Sequence, residues 1–329
     1  MTSTPSEPRR VAAGRLEEFD AEAFQAVGIP QGDAKIIAQL MTRIDLRGLD
    51  GHGIFRLPQY IQRIKAGGIN VKPTITVKQE TPSTAIIDGD NAVGHLAVNK
   101  AVQVAMDKAE QCGVAWVGTT NNNHAGAASI YAMMPMERDM IGIYMAVGSA
   151  NHLPPWGGID MLLSTNPIAF AIPGLEEPPI VMDMATTVAS YGKVKMAADR
   201  GEIMPEGWMI DAEGKPLTDP TRMNDGFLVP IGGYKGDGLA LIIGLLAGTL
   251  NGAAMGKDVV DFNADFKSLA NTGQLIIALD IKAFADVETF KRNVDIVIDD
   301  DRNFYIRICR DGGESGGFSF ARDTFVRSE

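Results

Sequence analysis

Early in the chain apolar side chains recur at Ile36, Ile37, Leu40 and Ile44, one face of a helix, while Ala34, Ala38 and Met41 favour helix intrinsically. The first seventy residues therefore read as helical, and Gly67-Gly68 closes that block. From Ile75 the pattern changes to short β-rich runs: Ile75 to Val77, Ala85 to Ile87, Val114 to Val117, Ile141 to Val147, Ile168 to Ile172 and Ile180 to Met182. A helix over Ala97 to Gln111 lies among them. Gly233 to Met255 predicts a return to helix, and Gln274 to Asp280 and Phe304 to Cys309 predict late strands. This is α/β or α+β material. It suggests a helical unit of separate segments, 1–72 with 236–272, embracing a sheet unit of 73–235 with 273–329. The longest apolar run, Leu239 to Leu250, holds two glycines and is too short to span a bilayer, so it is expected to be a buried helix. No internal repeat or low-complexity tract interrupts the chain.

Composition narrows the class. With 329 residues, 45% of them hydrophobic, the chain can bury a large core. A formal charge of −11 without a basic block argues against nucleic acid, and an anionic ligand needs a local cation, which draws attention to Arg56 and Lys235. Cys112 and Cys309 form no CxxC and no disulfide framework, so a reducing cytoplasm is the expected setting. Met1 to Arg10 is polar with no apolar segment, and reads as a tail rather than a signal peptide. Neither G-x-G-x-x-G after a strand nor a P-loop occurs, so a nicotinamide cofactor would need another cradle. Four histidines without HxH or HExxH spacing leave no expectation of a metal.

The densest chemistry lies in Asp50-Gly51-His52-Gly53 and the residues to Tyr60. If this stretch is helical or nearly so, His52, Arg56 and Tyr60 recur at spacing four and share one strip. Imidazole exchanges protons near neutral pH, and a guanidinium holds a carboxylate through two parallel hydrogen bonds. That pairing suits a 2-oxo or 2-hydroxy acid. The same spacing also describes an ordinary helix with a surface Arg and a half-buried Tyr, and Pro58 threatens the period. Asn121 to Gly126 follows a strand and carries His124. Pro155 to Gly158 and Ser164 to Pro167 form turns rich in donors. Asp183 ends an apolar strand, as a ligand or as the N-cap of a helix. Gly232 to Gly238, with Lys235, opens a helix as a plausible anion seat or as close packing.

Taken in order, these runs resemble the malate/L-lactate/L-sulfolactate dehydrogenase family, which includes ureidoglycolate dehydrogenase, diketogulonate reductase and reductases of cyclic imino acids. The resemblance rests on Asp45-Leu46-Arg47-Gly48 with Gly51-His52-Gly53 and Arg56, on Asn123-His124-Ala125-Gly126, and on Pro155-Trp156-Gly157-Gly158. It continues through Thr165-Asn166-Pro167, Asp183-Met184-Ala185-Thr186, Gly192-Lys193, Pro205-Glu206-Gly207-Trp208 with Asp211, and Gly233-Tyr234-Lys235-Gly236. It implies an α+β fold, a mainly antiparallel sheet that binds NAD or NADP without a Rossmann domain, a small anionic substrate and a homodimer. It also implies His52 as proton donor, Arg56 with Tyr60 on the substrate side, His124 as a second acid/base, and Asp183 at the His52 and nicotinamide end of the site, both as a catalytic and as a cofactor-binding residue. Thr165, Asn166, Met184, Ala185, Thr186, Lys193, Lys235, Gly236, Gly313 and Glu314 would line the cofactor. The implied reaction is hydride transfer between nicotinamide and a 2-oxo or (S)-2-hydroxy acid; alternatives are a cyclic imino acid reductase, a ureidoglycolate-type dehydrogenase and a catalytically impaired binding homologue. Two departures stand out. Gly51 replaces the family's usual Ser before His52, and Gly312 replaces a Pro.

Overall fold

Met140, Gly142, Tyr144 and Ala146 are buried and the residues between them only half so, the alternation of a strand covered on both faces. In the computed structural model, which describes residues 10–49, 51–308 and 318–320, this segment is one of the inner strands of an eight-stranded sheet. In chain order the strands are β1 (Thr76–Glu80), β2 (Thr84–Asp88), β3 (Val114–Thr120), β4 (Met140–Ala146), β5 (Asn151–Leu153), β6 (Leu163–Ser164), β7 (Ile168–Ile172), β8 (Ile180–Met184), β9 (Met209–Asp211), β10 (Gly226–Leu228), β11 (Gln274–Asp280) and β12 (Phe318–Phe320). The large sheet runs β1-β2-β3-β11-β4-β7-β8-β12, while β5 pairs with β6 and β9 with β10. Within it only β2 and β3 are parallel, so the sheet is mainly antiparallel.

The helices are α1 (Ala13–Ala26), α2 (Gln31–Leu46), α3 (Leu57–Ala66), α4 (Gly94–Cys112), α5 (Ser129–Met133), α6 (Tyr191–Arg200), α7 (Tyr234–Ala247) and α8 (Val287–Ile308). α4 is the crossover between the parallel strands, and its Val98, Ala101, Val102 and Ala105 share the main core with Val117, Tyr144 and Ile276. A second core joins α1, α2 and α3 through Phe24, Ile37, Met41 and Tyr60, and takes Phe262 from the chain after α7. Arg63, fully buried in α3, donates to the carbonyls of Asp265 and Ser268, which ties that later segment to α3. α7 itself rests on β4 and β11.

Two expectations change. Phe304 to Ile308 continue α8 rather than forming a strand, because no Gly or Pro interrupts the run from Val287 and a nucleated helix propagates; Cys309 lies outside the described residues. α7 is not wholly buried: Ala240, Ile243 and Ala247 face the interior, whereas Leu241, Ile242 and Leu245 are exposed. Uniform apolarity hides which side meets the sheet. Among the described residues no helix is long and apolar enough to cross a membrane.

Candidate active site

The loop carrying His52 grows out of the end of α2. Gly48, with φ +70°, donates to Asp45, Leu49 donates to Ile44, and the His52 amide donates to Leu49, so the chain coils back on itself. A 3₁₀ turn over Ile54–Arg56 then leads directly into α3. Pro58 causes no break because it falls in the first turn of α3, where its missing N–H has no helical partner to lose. Arg56 and Tyr60 therefore stand one turn apart, with His52 on the loop before them; Asp50 is outside the described residues.

Tyr60 is fully buried, and its hydroxyl lies 2.6 Å from His124 Nδ1. The Gly126 amide also donates to that nitrogen, at 3.3 Å. An amide can only donate, so Nδ1 is the acceptor, Tyr60 O–H points at it, and neutral His124 carries its proton on Nε2. The loop that presents His124 is held by buried amides: Asn123 donates to the carbonyls of Asn91 and Ala92, and Asn122 and Gln274 bond each other. The His124 ring stacks with His52, centroids 5.9 Å apart, and with Phe262, 5.1 Å away. Burial and the neighbouring Arg56 hold His52 down at about 4, with Asp183 pulling the other way. The same two causes, joined by His52 and His95, hold His124 well below the ordinary histidine range. Both rings are neutral at pH 7.

Arg56 donates through Nε to the Gly51 carbonyl (2.9 Å) and through Nη1 to Gln59 (2.8 Å) and Asn263 (3.2 Å). No carboxylate pairs with it among the described residues. Burial lowers its pKa. A desolvated guanidinium fixed by neutral groups, with Nη2 unpartnered among the described residues, is a seat for an external anion.

His52, Arg56 and His124 line an open cleft together with Thr165, Ser190, Tyr191 and Gly192, and among the described residues its lining contains no Asp or Glu. α6 begins in the wall of this cleft. Its Tyr191 and Gly192 amides find no acceptor among the described residues, and beyond Gly192 the space is open, with Ser190 Oγ the nearest atom to an added Cβ at 3.8 Å. Lys193 is exposed in that first turn, and the Lys195 ammonium lies 5.6 Å from the Tyr191 ring. Free amides at a helix start beside lysines are suited to the phosphates of a dinucleotide.

Thr165 lines the cleft, and Thr186, buried, supports it by donating to its carbonyl. Asp183 accepts the Ser129 amide at 2.8 Å and lies within electrostatic reach of His52. Asn166 is buried with its amide spent on the Gly148 N–H and the Ala240 carbonyl, and Gly236 packs on the Ile231 backbone, where a Cβ would overlap the carbonyl oxygen. Met184, Ala185, Lys193 and Lys235 do not line the cleft, the two lysines being exposed. Gly313 and Glu314 lie outside the described residues. Sequence reasoning missed His152, stacked on Tyr191 at 4.2 Å in the cleft wall, and the pair Phe262 and Asn263. A histidine in a chain with four was a signal; Phe262 and Asn263 had none.

Residues 11–304 match the family model described as malate/L-lactate dehydrogenase. The chain belongs to that family. It is 40% identical over 282 residues to L-sulfolactate dehydrogenase of Methanocaldococcus jannaschii, covering 86% of this chain and 81% of that protein. Malate dehydrogenase of Pyrococcus horikoshii is 38% identical over 299 residues (88% and 82%), and ureidoglycolate dehydrogenase (NAD(+)) of Escherichia coli K12 is 35% identical over 285 (87% and 81%). Among solved structures, the M. jannaschii sulfolactate dehydrogenase superposes with a TM-score of 0.84 at 36% identity, covering 95% of this chain and 89% of that one. The delta1-piperideine-2-carboxylate reductase of Pseudomonas syringae reaches 0.83 at 27% (97% and 93%). The malate/L-lactate dehydrogenase homologues are oxidoreductases.

Proposed function

We propose that this dehydrogenase interconverts a small 2-oxo acid and its (S)-2-hydroxy acid, of the malate, lactate or sulfolactate kind, using NAD or NADP. The observation that carries the reading is Arg56: half-buried, without a carboxylate partner among the described residues, and beside two neutral histidines. The substrate carboxylate occupies the guanidinium and C2 faces the histidine pair. The nicotinamide, when bound, supplies or accepts the hydride at C2. The residues that would hold the cofactor are Thr165, Tyr191, Gly192 and Lys193, with Asp183 toward its nicotinamide end.

His52 is the proposed proton donor to the carbonyl oxygen, and Arg56 sets the timing. While Arg56 stands unneutralised it depresses both imidazoles; a bound carboxylate cancels that field and raises their basicity when a proton is needed. A second reading assigns the donor to His124, favoured by its fixed Nε2–H tautomer. Gly51, which has no hydroxyl, leaves His52 without the neighbour usual at that position.

Assay with NADH and NADPH against oxaloacetate, pyruvate, sulfopyruvate and piperideine-2-carboxylate tests the proposal. Turnover of a 2-oxo acid supports it; turnover of the imine alone replaces it with imino acid reduction; and cofactor binding without turnover of any of them leaves a binding homologue. Arg56→Lys is expected to raise KM and lower kcat, because an ammonium cannot form the two-bond fork. We also propose a homodimer, supported by the exposed apolar face of α7.

A further inference from the structure

α2 ends one residue after Asp45, whose side chain reaches forward across the next loop: the Ile54 amide donates to Asp45 Oδ2 at 2.9 Å. His52 lies inside the loop so closed. Gly53 crosses directly over the carboxylate: a Cβ there would overlap Asp45 Oδ1 and Cγ. The closure extends forward, because the Arg56 amide donates to the Gly53 carbonyl and its Nε to the Gly51 carbonyl. One carboxylate therefore grips the backbone between the proposed proton donor and the proposed carboxylate clamp. Near it on α1 stands Asp20, fully enclosed, with neither oxygen bonded among the described residues.

We propose that Asp45 is a positioning residue for the reaction, fixing His52 and Arg56 in one register relative to each other by holding Gly53 and Ile54. The side chain touches neither substrate nor cofactor. Its effect passes through the backbone: loosening residues 53 and 54 frees the imidazole and the guanidinium together. Misplacement of reacting groups by about 1 Å costs on the order of 10²-fold in rate, so a remote anchor can matter as much as a contact. Gly53 is part of the same device, since only a residue without Cβ passes over the carboxylate.

This inference rests on the proposed roles of His52 and Arg56, and its test contains one readout that does not. Asp45→Ala and Gly53→Ala are expected to lower kcat for the 2-oxo acid by about tenfold or more and to raise its KM, while the Kd of NADH or NADPH, measured by fluorescence titration, stays unchanged. Asp45→Asn keeps an acceptor for the Ile54 amide and is expected to recover most of the loss. Independently of turnover, the His52 C2–H resonance, assigned among the four histidines, is expected to shift or broaden in Asp45→Ala and to stay near its original position in Asp45→Asn. An Asp45→Ala protein with unmoved His52 resonance and unmoved KM would overturn the proposal. So would equal loss of cofactor affinity and substrate affinity, which marks general damage. No turnover by the unmodified protein counts against the proposed reaction alone, because the resonance comparison stands without it.

Discussion

The contest between His52 and His124 is one between charge and geometry. His52 has Asp183 in electrostatic reach, which favours its protonated form, whereas His124 has the fixed tautomer. His52→Ala is expected to lower kcat by a factor on the order of 10² or more with cofactor affinity little changed, as for loss of a general acid. Should His124→Ala prove the more damaging of the two, the roles exchange. The pH profile follows from the same electrostatics. Oxidation of the hydroxy acid needs a neutral imidazole, and in the free protein His52 is held at about 4 by burial and Arg56. The acid limb of kcat/KM for oxidation should therefore break well below the ordinary histidine value of about 6.5. A break near that ordinary value would show that the base is not His52 in this environment. These side chains were legible in the sequence because their chemistry is scarce: four histidines, and an Arg four residues after one of them. Phe262 and Asn263 were not, since an aromatic and an amide in a loop are common and only the fold brings them to Tyr60 and Arg56.

Elements were readable where a single period governs a run. β7 and β11 span the expected residues, 168–172 and 274–280, and α4 covers the expected helix. β5, β6, β9 and β10, of two or three residues each, carry too few positions for any period to register, and they exist because their partners hold them. α8 shows the converse, a strand-like run absorbed by the helix preceding it. The contact between α1 and α2 yields a stability test. Asp20 is raised to about 7 by burial and by the nearby Asp45, against an ordinary value of 3.8. The unfolded chain releases this proton first, so between about pH 4 and 7 the folded state binds more protons and stability falls as pH rises. Each pKa unit corresponds to about 1.4 kcal/mol. Asp20→Asn removes the ionisation, and its unfolding free energy relative to the original protein should improve by a few kcal/mol between pH 4.5 and pH 8. Parallel pH dependence of the two denaturant midpoints would mean that Asp20 is not held protonated.

At the scale of the molecule the cleft is open, and an apolar surface lies on α7, whose inner face packs on the sheet. Leu241, Ile242 and Leu245 present 43%, 52% and 41% of their surface to solvent, and Ile159, Met161 and Leu162 are exposed in the β5–β6 connection. Apolar surface of this kind on a chain of charge −11 is costly in water and calls for a partner. A second copy is the commonest solution, and two-fold symmetry makes one patch suffice for both sides. α7 opens at Gly233 and Tyr234 beside Trp156, whose amide donates to Asp237, so an interface on this helix would also brace the turn from Pro155 to Gly158. The dimer is expected to bury upward of about 2,000 Å², the range of obligate interfaces. Ile242→Glu with Leu245→Glu should therefore give a monomer by light scattering, with reduced cofactor affinity if the partner braces the cleft. An original protein that is monomeric and fully active at assay concentration would remove both the dimer and the role assigned to α7.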